Sequence, residues 1–162
     1  MRVEQVMTHP ASACRSDQAV SEAARLMWEG DCGCVPVVQA VGDLEDLVVG
    51  MITDRDVCMA AYTQGRPLTD IAVASAMARD VATCVPEDSV ATALSIMTTR
   101  KIRRLPVVDA AGRLVGMLSM SDLANEATRE RTRSRKDVTL ARVGEALRAI
   151  VAPREPRDIQ AA

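Results

Sequence analysis

The stretch Gly50-Met51-Ile52-Thr53-Asp54-Arg55-Asp56 decides how this chain is interpreted, because its pattern returns as Gly116-Met117-Leu118-Ser119-Met120-Ser121-Asp122. Both stretches consist of a glycine, two apolar residues, a hydroxyl residue, two variable positions and an aspartate. Each apolar run is typical of a buried strand, and each hydroxyl residue stands where a helix is expected to begin. The chain therefore carries the same strand-to-helix junction twice.

The duplication extends well beyond these junctions. A shift of 70 residues matches Val3, Met7, Cys14, Val20, Ala23, Met27 and Pro36-Val37-Val38 with Val73, Met77, Cys84, Val90, Ala93, Met97 and Pro106-Val107-Val108. From Gly50 onward the shift becomes 66, which places a four-residue insertion within 42–47 and predicts a longer loop there. The sequence therefore predicts two tandem copies of one unit, of about 60 residues each.

Each copy predicts the order strand, helix, strand, strand, helix. Apolar residues at i, i+3, i+4 and i+7 predict a helix from Val20 and its counterpart from Val90. The Pro-Val-Val runs predict strands that begin at Pro36 and Pro106, because proline fits best at a strand start or edge. We expect an α+β fold of two β-α-β-β-α repeats related by a pseudo-twofold axis, since neither copy has enough core alone.

Domain boundaries follow from the repeat and from a change in charge. The predicted ranges are 1–62 for the first repeat, 63–72 for a linker, 73–125 for the second repeat and 126–162 for a charged tail. The tail holds nine Lys or Arg against six Asp or Glu, whereas residues 1–125 hold eleven against sixteen. Helical spacing of Leu140, Val143, Leu147 and Ile150 predicts an amphipathic helix at about 138–151.

Composition excludes several classes of protein. Hydrophobic residues make up 48% of the 162, which is enough for a core. Trp28 and Tyr62 are the only aromatic residues, so a surface that stacks single-stranded bases is excluded. The net charge of −2 gives no overall attraction to nucleic acid or to an anionic membrane. Met1–Ala13 lacks the apolar stretch of a signal peptide and no run is long enough to span a membrane, so we expect a cytoplasmic protein.

Thr53 with Asp56, and Ser119 with Asp122, are the candidate binding pairs. A carboxylate accepts two hydrogen bonds side by side, as the cis-diol of a ribose requires. The hydroxyl group one turn earlier can reach ribose or phosphate, and the unpaired N–H groups at a helix start favour an anion. The same spacing also fits a capping box, in which hydroxyl and acid satisfy the backbone of their own helix. The two interpretations are partly compatible, and both stay open here.

The repeat order, the Pro-Val-Val strands and the duplicated junction resemble the cystathionine β-synthase (CBS) domain pair, or Bateman module, over about residues 1–125. The resemblance implies adenine nucleotide or S-adenosylmethionine bound in clefts between the repeats. The residues that it implies for the ribose are Thr53, Asp56, Ser119 and Asp122. Those that it implies for the base are the backbone of Ser12 and Ala82 and the apolar side chains of Met51 and Met117.

The two copies differ in the cations that a phosphate group needs. The second copy has Lys101-Ile102-Arg103-Arg104 before its strand, where the first has Asp31-Cys32-Gly33-Cys34. The resemblance implies that Arg103 and Arg104 meet phosphate, and in the first copy Arg55 can serve the same purpose. We therefore expect the two sites to bind unequally, with one of them empty as the extreme case.

These observations predict a regulatory binding module for AMP, ADP, ATP or S-adenosylmethionine, with no other cofactor required. The sequence shows no nucleophile–base pair, no paired carboxylates and no phosphate-binding loop, so we do not expect an enzyme. Its length leaves no room for a separate catalytic domain, and we expect signalling in trans. The resemblance implies a homodimer, and the tail is a candidate contact for an unidentified protein target. We expect no membrane partner and no nucleic acid partner.

Cysteines support an alternative function. Cys32, Cys34, Cys14 and His9 form an alternative metal set, which predicts a nucleotide-free assembly module that responds to thiol oxidation or zinc through Cys32, Cys34 and the tail. The Cys-x-Cys spacing differs from the usual Cys-x-x-Cys, and Cys14 occupies an apolar repeat position. Our main prediction is therefore that no metal is bound.

Overall fold

Helices and strands follow the predicted order in the computed structural model, which describes residues 1–42, 44–129 and 138–153. The strands are β1 (Cys14–Arg15), β2 (Cys34–Val41), β3 (Leu44–Thr53), β4 (Arg104–Val108) and β5 (Leu114–Ser119). The helices are α1 (Val20–Glu29), α2 (Asp54–Gln64), α3 (Val90–Arg100), α4 (Met120–Arg129) and α5 (Leu140–Val151). In the second repeat a single bridge between Cys84 and Val107 stands in place of β1. The α+β fold of two tandem repeats is confirmed.

The prediction that two strands begin at proline was wrong. β2 begins at Cys34 and β4 at Arg104, two residues before the proline in each case. Pro36 lies opposite Met51 of β3, and Met51 directs both its N–H and its carbonyl oxygen to Ala78. The parallel pairing of β1 with β2 begins only at Val37. Pro36 is therefore tolerated inside the sheet because neither neighbouring strand needs a main-chain N–H at that position.

The insertion in the first repeat lengthens a hairpin, where the sequence predicted a longer loop. β2 and β3 have 8 and 10 residues, whereas β4 and β5 have 5 and 6. The turn places Gly42 at φ 60°, and Val41 pairs with Leu44 across it. Register shifts between Gln39 and Val41 and a positive φ at Asp46 show that bulges absorb the added residues.

The chain divides into two compact units that do not coincide with the two repeats. The Asp56 unit consists of His9–Val85 and Pro106–Gly116. The Asp122 unit consists of Met1–Thr8, Pro86–Leu105 and Met117–Ala162. Each unit therefore contains the opening segment of the other repeat.

In the Asp56 unit, residues from the start of the second repeat complete the core under α1. The Val20 N–H donates to the Ile71 carbonyl oxygen at 2.8 Å, and the Val73 N–H donates to that of Gln18 at 2.9 Å. Ile71 and Val73 are fully buried in a cluster that includes Val20 and Met27. Burial of each such side chain contributes about 1.5–3 kcal/mol to folding.

The Asp122 unit repeats this arrangement with the beginning of the chain. The Val3 N–H donates to the Asp88 carbonyl oxygen at 2.9 Å, and the Val90 N–H at the start of α3 donates to that of Met1 at 3.1 Å. Val3 is fully buried, as its counterpart Val73 is in the other unit. The first residues of the chain are thus part of the core that surrounds the second repeat's helices.

Helix α5, in the predicted tail, packs on α3 and α4 of the Asp122 unit. Val143, Ala146 and Ile150 are buried, whereas Leu140 is 48% exposed and Leu147 is 42% exposed. The helical spacing placed Leu140 and Leu147 on the apolar face, and this expectation was wrong for both leucines, because the buried face consists of Val143, Ala146 and Ile150. The remaining tail residues, 130–137 and 154–162, lie outside the described part of the chain. No helix among the described residues is long and apolar enough to cross a membrane.

Candidate functional site

Thr53 and Asp56 stand at the junction of β3 and α2, where the chain changes from extended to helical. Thr53 is the N-cap, with φ −114° and ψ 165°, and its Oγ1 accepts from the Asp56 N–H at 3.2 Å. In return, the Thr53 N–H and hydroxyl donate to Oδ2 of Asp56 at 2.8 and 2.7 Å. The capping box that the sequence allowed is therefore present in the first repeat.

Ser119 and Asp122 repeat the same geometry at the start of α4. The Asp122 N–H donates to Oγ of Ser119 at 3.1 Å, and the Ser119 N–H and hydroxyl donate to Oδ2 of Asp122 at 2.8 and 2.7 Å. Corresponding distances in the two boxes agree within a tenth of an ångström. The duplicated motif is thus a duplicated cap.

The cap uses only one oxygen of each carboxylate. Oδ2 of Asp56 accepts both hydrogen bonds from Thr53, and no described residue donates to Oδ1. Asp122 has the same arrangement at Oδ2, while its Oδ1 accepts a long hydrogen bond of 3.4 Å from the Thr8 hydroxyl. Both aspartates are half-buried. Capping and ligand binding can therefore be divided between the two oxygens of one side chain.

A second segment runs against each junction and was missed by sequence reasoning. Ala78 and Met51 exchange two main-chain hydrogen bonds of 2.8 and 2.9 Å, and Thr8 and Met117 exchange two of 2.8 and 3.0 Å. The repeat shift of 70 already pairs Thr8 with Ala78, so the signal that these positions are equivalent was present. Their difference in chemistry gives the two sites different surroundings.

Close approach of this segment explains the first residue of the motif. A Cβ on Gly50 would lie 2.5 Å from Sδ of Met77 and 3.0 Å from the Ala78 carbonyl oxygen. Contacts this short force a neighbour to move, so a side chain at this position would push the segment away from β3. Glycine is therefore required here for packing, whatever the junction binds.

Basic residues lie close to the start of α4. The Arg103 carbonyl oxygen accepts from the Met120 N–H at 3.0 Å, as that of Gly33 accepts from the Asp54 N–H at 3.1 Å in the first repeat. Arg103 is exposed, and Arg104, the first residue of β4, is half-buried. Nζ of Lys101 donates to the Pro153 carbonyl oxygen at 3.2 Å.

The remaining predicted site residues lie in two kinds of position. Arg55 is exposed in the first turn of α2, and Met51 and Met117 are half-buried in β3 and β5. Ser12 and Ala82 occupy the segments that lead to Cys14 and Cys84, and both belong to the Asp56 unit. Their contacts with a ligand stay a prediction.

The structure does not bring the alternative metal set together. Among the described residues, no three His, Cys, Asp or Glu side chains are placed to hold a metal ion. Cys14 and Cys34 are buried, and burial raises the pKa of the Cys14 thiol to about 11, which opposes the thiolate form that binds metal. Cys32 instead lines a cavity of about 480 Å³ between α1 and α2, with Trp28 and Cys58.

A family comparison agrees with this arrangement of two equivalent junctions. The model of the CBS domain matches residues 3–62 and again residues 70–129. The chain belongs to the CBS-domain family. The CBS repeats found in this way lie close to the predicted ranges, 1–62 and 73–125, whose limits stay a prediction.

Relatives of this CBS pair differ in what accompanies it. The CBS domain-containing protein YhcV of Bacillus subtilis is 34% identical over 122 residues, which are 75% of this chain and 82% of that protein. A homoserine O-acetyltransferase of Methanococcoides burtonii is 32% identical over 121 residues, which are 75% of this chain but 23% of that enzyme. A pair of CBS repeats therefore makes up most of one relative and a quarter of the other.

Solved structures show the same fold. The CBS domain pair of protein MJ0100, in complex with 5′-methylthioadenosine and S-adenosyl-L-methionine, matches with a TM-score of 0.70 and 22% identity, covering 81% of this chain and 98% of that one. CBSX2 in complex with AMP matches with a TM-score of 0.67 and 23% identity, covering 79% and 96%. These likenesses establish the fold.

Proposed function

We propose that this CBS pair is a regulatory module that binds an adenosine-containing ligand, AMP, ADP, ATP or S-adenosylmethionine, and signals to another protein in trans. The observation that carries the proposal is the second carboxylate oxygen of Asp56 and of Asp122. Each cap leaves that oxygen available at the start of a helix, where ribose hydroxyls can donate to it. CBSX2 with AMP and MJ0100 with S-adenosyl-L-methionine support this class of ligand.

Other residues complete the two proposed sites. Thr53 and Ser119 supply hydroxyls beside the ribose, and Arg55, Arg103 and Arg104 supply charge for phosphate groups. The proposed contacts with the base are the backbone of Ser12 and Ala82 and the side chains of Met51 and Met117. A base held by apolar side chains and backbone needs no aromatic ring, which agrees with a chain that has no Phe.

The proposed signal passes through a homodimer, and the exposed aromatic residues support this. Trp28 at the end of α1 is 88% exposed, and Tyr62 at the end of α2 is 82% exposed. The corresponding helices of the second repeat, α3 and α4, are covered by α5. None of the five cysteines forms a disulfide, which favours a reducing compartment, and we propose the cytoplasm.

A binding assay with cap-preserving variants tests the ligand. Asp56→Asn and Asp122→Asn retain an oxygen that can accept from the Thr53 or Ser119 N–H, but they replace the second oxygen with an NH₂ donor. We expect a ligand at 100 times its Kd to stabilise the wild-type chain by about 2.7 kcal/mol. The double variant should keep its fold and lose this stabilisation. AMP, ADP, ATP, S-adenosylmethionine and NAD form the panel, and thermal unfolding is the measurement.

Two results would contradict the ligand proposal. One is a wild-type chain that none of the five compounds stabilises, and the other is a double variant that responds as the wild type does. Zinc content and thiol titration would then test the assembly module that responds to metal or oxidation.

The single tryptophan reports on the proposed dimer. We expect its emission to shift to shorter wavelength as protein concentration rises, because a second copy would bury a ring that is exposed in one chain. Tyr62→Asp should abolish the shift, and Tyr62→Phe should retain it. Sedimentation velocity checks the mass, and a monomer at all concentrations would show that the dimer proposal is wrong.

A further inference from the structure

Thr8 gives the Asp122 site a hydroxyl group that the Asp56 site does not have. Its main chain is fixed by the two hydrogen bonds with Met117, and its Oγ1 donates to Oδ1 of Asp122 at 3.4 Å. Ala78 occupies the equivalent place beside Met51 and carries no polar group. Thr8, Met117 and Asp122 all belong to the Asp122 unit, and Ala78 and Met51 both belong to the Asp56 unit.

As a consequence, the Asp122 junction offers one more hydrogen-bond acceptor to a ribose than the Asp56 junction does. A carboxylate oxygen accepts about two hydrogen bonds, and Oδ2 of each aspartate already accepts two from its own cap. Both hydroxyls of a ribose would have to share Oδ1 of Asp56. At the other junction, Oδ1 of Asp122 and Oγ1 of Thr8 are two separate acceptors, and their separation of 3.4 Å suits neighbouring hydroxyls.

The existing contact between Thr8 and Asp122 does not prevent this use. At 3.4 Å it is longer than the 2.5–3.0 Å typical of O–H···O hydrogen bonds, so rotating the hydroxyl away costs little. Thr8 is exposed, and a ligand can reach it without opening the unit. A hydroxyl that already points toward the carboxylate can donate to it and accept from a ribose hydroxyl at the same time.

We propose that Thr8 is a ligand-binding residue of the Asp122 site, and that its hydroxyl makes this site discriminate ribose from 2′-deoxyribose more strongly than the Asp56 site does. The proposal rests on the function proposed above. A site that provides a polar group for each hydroxyl of a ligand gains one more hydrogen bond with ribose than with 2′-deoxyribose, so the analogue that lacks the hydroxyl binds more weakly.

The test isolates one site at a time. An Asp56→Asn background leaves the Asp122 site for study. Calorimetric titration with AMP and 2′-deoxy-AMP gives two Kd values, and the Kd of 2′-deoxy-AMP divided by that of AMP is the discrimination ratio. ATP and 2′-deoxy-ATP serve as a second pair. Thr8→Val removes the hydroxyl and keeps the branched shape, and we expect it to weaken AMP about tenfold and to bring the ratio close to one. Thr8→Ser should restore the ratio.

The reciprocal experiment uses the other junction as a matched control. In an Asp122→Asn background, Ala78→Thr should raise the ratio at the Asp56 site, whereas Thr8→Val should leave it unchanged. Unfolding temperatures of all variants check that the fold is retained.

The possible failures separate the two proposals. If the Asp56→Asn variant binds AMP, Asp122→Asn abolishes that binding and Thr8→Val leaves the ratio unchanged, the role of Thr8 is wrong and the proposed function stands. If neither nucleotide pair binds to the wild-type chain but another compound of the panel does, the role of Thr8 is wrong and the proposed function stands. If none of the five compounds binds, both proposals are contradicted. A ratio that falls with Thr8→Val in both backgrounds would also overturn the proposal, because the effect would not belong to one site.

Discussion

The first and second repeats use the same cap in different surroundings. Corresponding hydrogen bonds in the two capping boxes have nearly identical distances. Val3 and Val73 are equally buried, and each lies in an opening segment that belongs to the unit of the other repeat; we call these the exchanged segments. Beside the caps, however, Ala78 corresponds to Thr8. The helices of the two repeats differ too, because α5 packs on α3 and α4 of the second repeat, whereas Trp28 on α1 of the first repeat is exposed.

This difference shows which features of a duplicated fold depend on the backbone. The caps are fixed by hydrogen bonds between side chain and main chain, the exchanged opening segments by main-chain hydrogen bonds, and both copies keep them. The side chains beside the caps and the packing of α5 on α3 and α4 do not affect that geometry, and they differ between the copies. The two repeats are therefore equivalent as structure and unequal as chemistry.

The largest expected effect concerns helix α5, which packs on the helices of the second repeat. Ile150→Ala should lower the free energy of unfolding by about 2–5 kcal/mol, because it removes a buried side chain from the contact of α5 with α3 and α4. Leu147→Ala on the exposed side of the same helix is the control and should change it by less than about 0.5 kcal/mol. Urea denaturation measures both, and equal effects would show that α5 is not a fixed part of the unit.

The exchanged segments should contribute equally. Val3→Ala and Val73→Ala each remove two buried methyl groups, and we expect each to cost about 2 kcal/mol. Exposed Val41 provides the control substitution. A loss confined to Val73→Ala would mean that the beginning of the chain is not docked as the Asp122 unit requires.

The caps should also be equivalent, with a smaller effect. Thr53→Ala and Ser119→Ala should each destabilise the protein by about 0.5–2 kcal/mol, since each removes the N-cap side chain of α2 or α4. Ser121→Ala, which changes an exposed hydroxyl in the first turn of α4, should have little effect. Thermal unfolding of the three variants is the measurement, and clearly unequal costs at Thr53 and Ser119 would contradict the equivalence of the caps.

The smallest expected effect is a pH dependence that arises from Cys14 and appears only in alkaline solution. Burial raises the pKa of this thiol to about 11 from an ordinary value near 9, so the folded state holds its proton more tightly than the unfolded state. The stability from this group is complete below about pH 9 and is lost as the pH rises toward 11. Cys14→Ala should remove that part of the alkaline decrease.

Thiol titration at pH 8 gives an independent check of Cys14. Exposed Cys58 should react readily, and Cys14 should react only after unfolding. Rapid modification of Cys14 in the folded chain would contradict its burial.

Much of the fold could be predicted from sequence because the same pattern occurs in both copies, so each copy supports the interpretation of the other. Apolar residues at equal spacing in both copies, and the glycine-to-aspartate junction, identified the order of strands and helices. The capping box was likewise recognisable from the positions of Thr53 and Asp56. These features are local, so the residues that form them are neighbours in the sequence.

Long-range placement could not be predicted in the same way. Pro36 was expected to begin a strand, because the sequence does not show that Met51 pairs with Ala78. Leu147 was expected on the buried face of its helix, because its spacing equals that of residues that pack on α3 and α4. The contact of Thr8 with Asp122 joins positions that are 114 residues apart. Each of these depends on a partner that only the folded chain brings near.

The exchange of opening segments also sets an order for biosynthesis. Met1–Thr8 are synthesised well before Pro86–Leu105 and Met117–Ala162, which form the rest of their unit. The Asp56 unit needs nothing beyond Gly116 and can assemble earlier on the nascent chain. During translation Met1–Thr8 therefore stay undocked until Pro86–Leu105 and Met117–Ala162 are made, so the Asp122 unit is the later of the two to fold.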